Sequence, residues 1–171
     1  MTASRVLGCV LVLALAASVS GCGKIPGFKK PPPPQPGANP PPNLPAPVPL
    51  TLTVQSSATV NPGETGRPSP IVVRVYQLKR DVAFRAAPYD KLFDDDKGTL
   101  GDDLVERMAV TLRPSDQSPM SLMVRADVRF IGVAAFYRQY DSIQWKILIP
   151  TPLKGEGILL VDKASVSFTA K

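Results

Sequence analysis

The sequence predicts an all-β domain: a two-sheet antiparallel β-sandwich of about eight strands, with a small helical insertion. Three observations carry this. From Leu50 to Lys171, apolar residues recur at every second position in run after run. In these runs one face is apolar and the other polar, the pattern of antiparallel sheets stacked face to face. One stretch, Asp81 to Asp103, breaks the alternation and is rich in Asp and Ala.

The elements follow in chain order. Leu50, Leu52 and Val54 alternate with Thr51 and Thr53; Ile71, Val73 and Val75 alternate with Arg74 and Tyr76 on the opposite face. The Asp81–Asp103 stretch predicts short helices around Ala87 to Phe93 and Leu100 to Leu104, packed on one end of the sandwich. Leu104, Met108, Val110 and Leu112 mark the next strand. Leu122, Val124, Ala126 and Val128 alternate with Ser121, Arg125, Asp127 and Arg129, the most regular case. Ile131, Val133 and Ala135 run on into Phe136 and Tyr137. Ile143, Trp145, Ile147 and Ile149 stand against Gln144 and Lys146. Ile158 to Val161 is a short apolar run, and Ala164, Val166 and Phe168 close the series, with Asp162-Lys163 as a tight turn before them.

Two further segments precede this domain. Arg5 and the uncharged run Val6 to Ser18 have the form of a signal peptide, and the run is shorter than the roughly 20 residues of a membrane span. Val19-Ser20-Gly21-Cys22 follows directly and resembles a lipobox, so residues 1–21 are expected to be cleaved and Cys22 to carry an N-acyl diacylglycerol. The other cysteine, Cys9, lies inside the cleaved run and leaves Cys22 without a disulfide partner. Twelve of the 20 prolines fall between Gly23 and Pro49. They exclude helix and sheet there, so residues 22–49 read as a semi-rigid polyproline tether with a reach of about 80 Å at roughly 3.1 Å per residue. The domain is then 50–171.

The net charge of +6 suggests nucleic acid until it is located. Arg5, Lys24, Lys29 and Lys30 precede the domain, and from Leu50 onward 16 Lys/Arg face 14 Asp/Glu. No nucleic-acid or small-molecule partner is expected. Histidine is absent, which removes Ser-His-Asp and Cys-His nucleophilic sites and the common zinc sites. Asp94-Asp95-Asp96 with Gly98 fails as a calcium loop: an EF-hand needs Gly at the sixth position and Glu at the twelfth, where this chain has Thr99 and Val105. It reads as a solvated acidic loop. No catalytic residue, metal ligand or cofactor is assigned, and the chain is not expected to be an enzyme. Trp145, at an apolar strand position, reads as core rather than as a sugar platform. The segment Ala58 to Pro70 holds three prolines and two glycines and is long for a hairpin connection. It is either an inert connector or a binding loop.

The lipobox, Asn61, the run Arg67-Pro68-Ser69-Pro70-Ile71-Val72-Val73-Arg74-Val75-Tyr76-Gln77-Leu78, then Phe84, Tyr89 and Leu92, Leu100 to Leu104, Arg113-Pro114, Ile131 to Arg138 and Trp145 together resemble the TssJ (SciN) family of type VI secretion lipoproteins. The resemblance implies a transthyretin-like sandwich, anchorage at the periplasmic face of the outer membrane, and binding to the periplasmic C-terminal region of TssM, with TssL as an indirect partner. It implies that the loop between the first two strands makes the TssM contact, here Thr59, Val60, Asn61, Pro62, Gly63, Glu64, Thr65, Gly66 and Arg67, with Asn61, Glu64 and Arg67 as the polar contacts. Gly23 after the lipidated cysteine is compatible with outer-membrane sorting. The long proline tether departs from the family. The competing reading is a periplasmic lipoprotein that binds a small ligand or glycan on the sandwich.

Overall fold

The computed structural model describes residues 45–153 and 155–171. The signal segment, Cys22 and the tether as far as residue 44 lie outside the described residues. Eight strands form two four-stranded sheets. The first has the order β4-β1-β7-β8, with β1 Val48–Ser56, β4 Gln117–Val124, β7 Gly155–Val161 and β8 Val166–Ala170. The second has the order β3-β2-β5-β6, with β2 Ile71–Leu78, β3 Leu104–Leu112, β5 Phe130–Phe136 and β6 Lys146–Pro150. Pairing is antiparallel except between β1 and β7. These two strands are far apart in sequence, so no hairpin dictates their relative direction.

Strand β1 starts inside the segment expected to be tether. Val48 pairs with Val124 and Pro49 with Met123, whereas β7 joins β1 only from Leu50. Pro49, which lacks an N–H, thus sits where β1 still has a single neighbour. The main core lies between the sheets. Leu50, Leu52 and Val54 of β1 meet Ile71, Val73 and Val75 of β2, with Leu122, Ile131, Val133, Leu159 and Val166 around them.

Strand β2 is buried on both faces, and this moves the helical insertion from its expected place. Helices α1 (Val82–Ala86), α2 (Tyr89–Asp94) and α3 (Asp96–Leu100), with the 3-10 turn Gly101–Asp103, lie over the outer face of the second sheet rather than at one end. Beneath them Tyr76, Leu78, Ala134 and Phe136 pack against Phe84, Ala87, Leu92 and Leu100 in a second apolar cluster. Each large apolar side chain buried there contributes roughly 1.5–3 kcal/mol. Gly132 permits the approach: a Cβ at that position would stand 3.0 Å from the Phe84 ring.

Polar groups fix the insertion as firmly as the apolar ones. Asp96, read from sequence as part of a solvated loop, is buried. Its carboxylate accepts from Arg74 at 3.2 Å, from Arg107 at 2.9 Å and from the Tyr76 hydroxyl at 3.3 Å. Only Asp94 and Asp95 of the triplet face solvent, and Asp95 accepts from the Gly98 amide at 2.9 Å as the α3 cap. Lys146, expected on a polar strand face, instead turns its ammonium onto the carbonyls of Phe84, Arg85 and Ala87 at 2.8–2.9 Å, where the carbonyls of α1 run out of helical partners.

Two strands shift against expectation. The alternation of Leu122 to Val128 outlasts its strand, because β4 ends at Val124. Arg125 reaches back to the Asp127 carboxylate at 3.2 Å and accepts at its carbonyl from the Val128 amide at 3.1 Å, closing a turn that keeps a period of two by coincidence. Strand β6 begins only at Lys146; Ile143 to Trp145 precede it as a turn, with Gln144 bridging to Ser165.

Candidate partner-binding end of the sandwich

The segment from Ala58 to Pro70 is a folded excursion, not a slack connector. Its base is tied down: the Ser57 amide donates to the Val161 carbonyl at 3.0 Å, and the Ser57 carbonyl accepts from the Ser115 amide at 3.2 Å. The Val60 side chain is fully buried in the main core. The Ser69 amide donates to the Val60 carbonyl at 3.2 Å and the Gly63 amide to the Arg67 carbonyl at 3.0 Å, so the two arms run together as a narrow hairpin. A turn closes the tip, where the Gly66 amide donates to the Gly63 carbonyl at 2.8 Å. Gly66 has φ of 74°, a left-handed value that favours glycine.

Asn61 is the keystone of this loop. It is 3 % exposed, and both polar atoms of its side chain are engaged within the chain. Its backbone is left-handed, with φ of 47°, a conformation asparagine tolerates better than most side chains. Its amide nitrogen donates to the Pro70 carbonyl at 2.6 Å, and its amide oxygen accepts from the Arg138 backbone N–H at 2.8 Å. The Ser69 hydroxyl donates to its main-chain carbonyl. Asn61 therefore fastens the β1–β2 loop to the loop that follows β5.

The nine loop residues expected to bind a partner divide accordingly. Val60 and Asn61 are buried anchors; Pro62 and Gly63 are half-buried; Thr59, Glu64, Thr65, Gly66 and Arg67 are exposed. Arg138 and Gln139, which are outside the expected contact set, are exposed beside them. With Gly63, Glu64 and Thr65 they line a groove of about 380 Å³. The topology explains the neighbourhood. Strand β2 pairs with β5 from Val72 opposite Phe136, so the chain entering β2 and the chain leaving β5 lie at the same end. The signal in the sequence was Arg138-Gln139 directly after a long apolar strand, but it acquires meaning only once that register is known.

The β5–β6 loop is held from behind by aromatic packing. Tyr140 stacks on Tyr89 with ring centroids 3.8 Å apart, and Trp145 meets Tyr89 edge-on at 5.0 Å. The Tyr89 hydroxyl donates to the Tyr137 carbonyl. Burial, with the nearby Tyr140 and Asp90, pushes the Tyr89 pKa up to about 12. The Tyr137 hydroxyl is shared between the carbonyls of Asp162 at 2.9 Å and Ser165 at 2.8 Å, which ties the same loop to the β7–β8 turn. Burial raises its pKa further still. The Asp162 carboxylate accepts from Ser57 and from the Lys163 amide, which hold it below the ordinary carboxylate range.

Charge at the loop tip is uncommitted. Among the described residues Glu64, Arg67 and Arg138 form no ion pair, although Arg74, Arg80, Arg85, Arg107 and Arg125 do. A larger groove of about 450 Å³ beside β3 is lined by Lys97, Gly101 and Leu104 to Arg107. Its Arg107 is bound to Asp96 and its Glu106 accepts from Gln77 at 2.8 Å. Trp145 is half-buried, with the Lys146 ammonium 4.8 Å from its ring centroid, so its face is already occupied. Among the described residues no group of three or more His, Cys, Asp or Glu could hold a metal ion. No helix among them is long and apolar enough to cross a membrane.

Residues 48–169 match the T6SS-SciN family, described as type VI secretion lipoprotein, VasD, EvfM, TssJ. The fold is similar to the crystal structure of the T6SS lipoprotein TssJ1 from Pseudomonas aeruginosa, with a TM-score of 0.67 and 28% identity, covering 73% of this chain and 97% of that one. It is similar to Serratia marcescens Lip, a membrane-bound component of the type VI secretion system, with a TM-score of 0.69 and 26% identity, covering 73% of this chain and 98% of that one. A chain in a structure described as the T6SS protein TssM C-terminal domain from EAEC shares the fold at a TM-score of 0.63 and 23% identity, covering 72% of this chain and 98% of that one. No curated protein sequence is significantly similar to the chain.

Proposed function

The chain belongs to the type VI secretion lipoprotein family, and from that premise we propose that it is a non-enzymatic assembly subunit that links the periplasmic C-terminal region of TssM, and through it TssL, to the outer membrane. The observation that carries the reading is the loop tip. A rigid hairpin raises Glu64, Thr65 and Arg67 at one end of the sandwich, and its charges have no partner within the described residues. A pre-ordered loop loses little conformational entropy on binding, which suits a standing structural contact. Lipidation at Cys22 supplies the membrane end, since two or more acyl chains give stable anchoring. The tether then lets the domain stand away from the bilayer while remaining attached to it.

The test is binding of residues 45–171 to the TssM C-terminal region. This part is suitable because it lies within one compact unit, Pro41–Lys171. The aligned region also makes up 97% of the crystallised Pseudomonas aeruginosa chain, so a domain of this kind is ordered without a tether. Direct binding is expected. Reversing the tip charges with Glu64→Lys and Arg67→Glu should weaken it at least about tenfold without changing the melting temperature. Absence of binding by the folded native domain would sink the proposal; unchanged affinity in the double variant would move the contact away from the tip.

A further inference from the structure

We infer that the proline-rich segment ends in a clasp: Leu44 seats in an apolar groove at the end of the sandwich where β1 begins, so the segment is fastened to the domain before the first strand. This is the end of β1 opposite the loop tip, and the inference stands independently of what that tip binds.

The sequence points to the occupant. Leu44-Pro45-Ala46-Pro47-Val48-Pro49-Leu50 carries the period of β1 backwards into the proline-rich segment. Leu50, Leu52 and Val54 face the core, and Val48, paired with Val124, stands on the same face. Ala46 and Leu44 follow at the same spacing of two. Each of Leu44, Ala46 and Val48 precedes a proline, which restricts it to extended backbone. Leu44 is also the only leucine, isoleucine, valine, methionine or aromatic residue between Phe28 and Val48.

The groove fits that side chain. Ala46 and Val48 line it together with Val124, Ala126 and Val128 around the end of β4 and Leu153 after β6. Its volume of about 250 Å³ is below the roughly 300–1,000 Å³ of small-molecule pockets and suits one or two side chains. Val48 is 37 % exposed although it stands on the core face, so apolar surface is open at this corner. Pro45 lines the groove as well, and the Cα of Leu44 is about 3.8 Å from that of Pro45, so Leu44 is delivered to the opening. The polar groups of the wall need no partner from the occupant. The Thr151 hydroxyl donates to the Val128 carbonyl at 2.8 Å, Arg125 is bound to Asp127 at 3.2 Å, and Arg129 is exposed to water. The two connections that wall the groove, β4 to β5 and β6 to β7, both cross from one sheet to the other. A seated Leu44 therefore meets tension on the proline-rich segment in both sheets before the hydrogen bonds of β1 carry it.

Hydrogen exchange tests this in the chain from Gly23 to Lys171, which omits the signal segment and Cys22. Three chains are compared with it: residues 45–171, Leu44→Ser and Leu44→Met, with thermal melting as the control for folding. The readout is the Val128 and Thr151 amides beside the groove, which donate to the Arg125 and Arg129 carbonyls. In Leu44→Ser they should exchange at least about tenfold faster than in the native chain, the scale set by burying one leucine side chain. Residues 45–171 should match Leu44→Ser, and Leu44→Met should match the native chain. Equal exchange in all four chains overturns the clasp and leaves the groove to an occupant outside the chain. Protection that is lost on removing residues 23–44 but kept in Leu44→Ser overturns Leu44 as the occupant.

Discussion

Replacing Asn61 with alanine should destabilise the domain by about 3 kcal/mol, far more than a loop substitution normally does. Three effects combine. The Arg138 N–H loses its acceptor at 2.8 Å and the Pro70 carbonyl loses its donor at 2.6 Å. A buried group stripped of its partner costs about 1–3 kcal/mol. Both groups belong to residues with exposed side chains, which lets water compensate in part, so about 1 kcal/mol each is the appropriate figure. The third effect is conformational. Alanine at φ of 47° lacks the local hydrogen bonding that asparagine uses there and adds roughly 1 kcal/mol. Asn61→Gly separates the contributions, because it removes the side-chain bonds but relaxes the backbone, and should recover roughly 1 kcal/mol relative to alanine. Urea unfolding with linear extrapolation measures both. Hydrogen exchange at the Arg138 amide supplies a local readout and should accelerate in both variants. A loss below about 1 kcal/mol for Asn61→Ala, with glycine and alanine equal, would show that the loop is not held by this residue. The rigidity argument for the partner surface would fail with it.

The remaining predictions concern the helical layer. Asp96→Asn breaks a buried carboxylate with two arginines and should cost about 3 kcal/mol, the lower end for a disrupted buried pair because Arg107 is partly exposed; Asp94→Asn, on the surface two residues away, should stay within about 0.5 kcal/mol in the same denaturation series. Burial, above all, pushes the Tyr76 pKa from 10.0 up to about 12. Between those values the unfolded chain has lost the phenolic proton while the folded chain keeps it, so stability falls as pH rises through that window, by at most about 1.4 kcal/mol per pH unit from this residue. Tyr76→Phe should remove that contribution and flatten the alkaline decline of the urea midpoint; parallel curves for the two proteins would count against burial as the cause.

The strands of this fold were legible because a period of two leaves one face apolar wherever a sheet packs against another. Leu52, Val54, Val73, Val75 and Val166 all point where the alternation puts them. The same rule set Arg74 and Tyr76 on the opposite, polar face of β2 and gave no sign that this face is covered. Those two residues are polar at their tips yet packed along their stems, and their polar ends meet Asp96, which the local sequence marks only as one of three aspartates. Alternation reports polarity, not exposure, and a third layer converts a polar face into a buried one when it brings complementary charge. The run Leu122 to Val128 failed for a related reason: a turn held by Arg125 and Asp127 happens to preserve the period of a strand.

The binding end was half legible, and the missing half explains how the visible half works. Prolines and glycines mark Ala58 to Pro70 as a loop, and nothing local distinguishes a floppy loop from a braced one. The brace comes from Arg138, 77 residues away. It reaches Asn61 because β2 and β5 are adjacent and antiparallel, a pairing that no short-range pattern encodes. Asn61 was therefore identified for a partner contact, whereas its contact lies within the chain. This distinction bears on the proposed function. A loop that transmits load between a membrane anchor and a trans-envelope partner must not yield between the two. Tip residues on a slack connector could bind, but they could not hold. Here Val60 in the core, Asn61 across to β5 and Ser57 onto β7 carry the tip back into both sheets. Strain applied at Glu64 or Arg67 therefore reaches β1, the strand that follows the proline-rich segment, through bonded neighbours rather than through free chain.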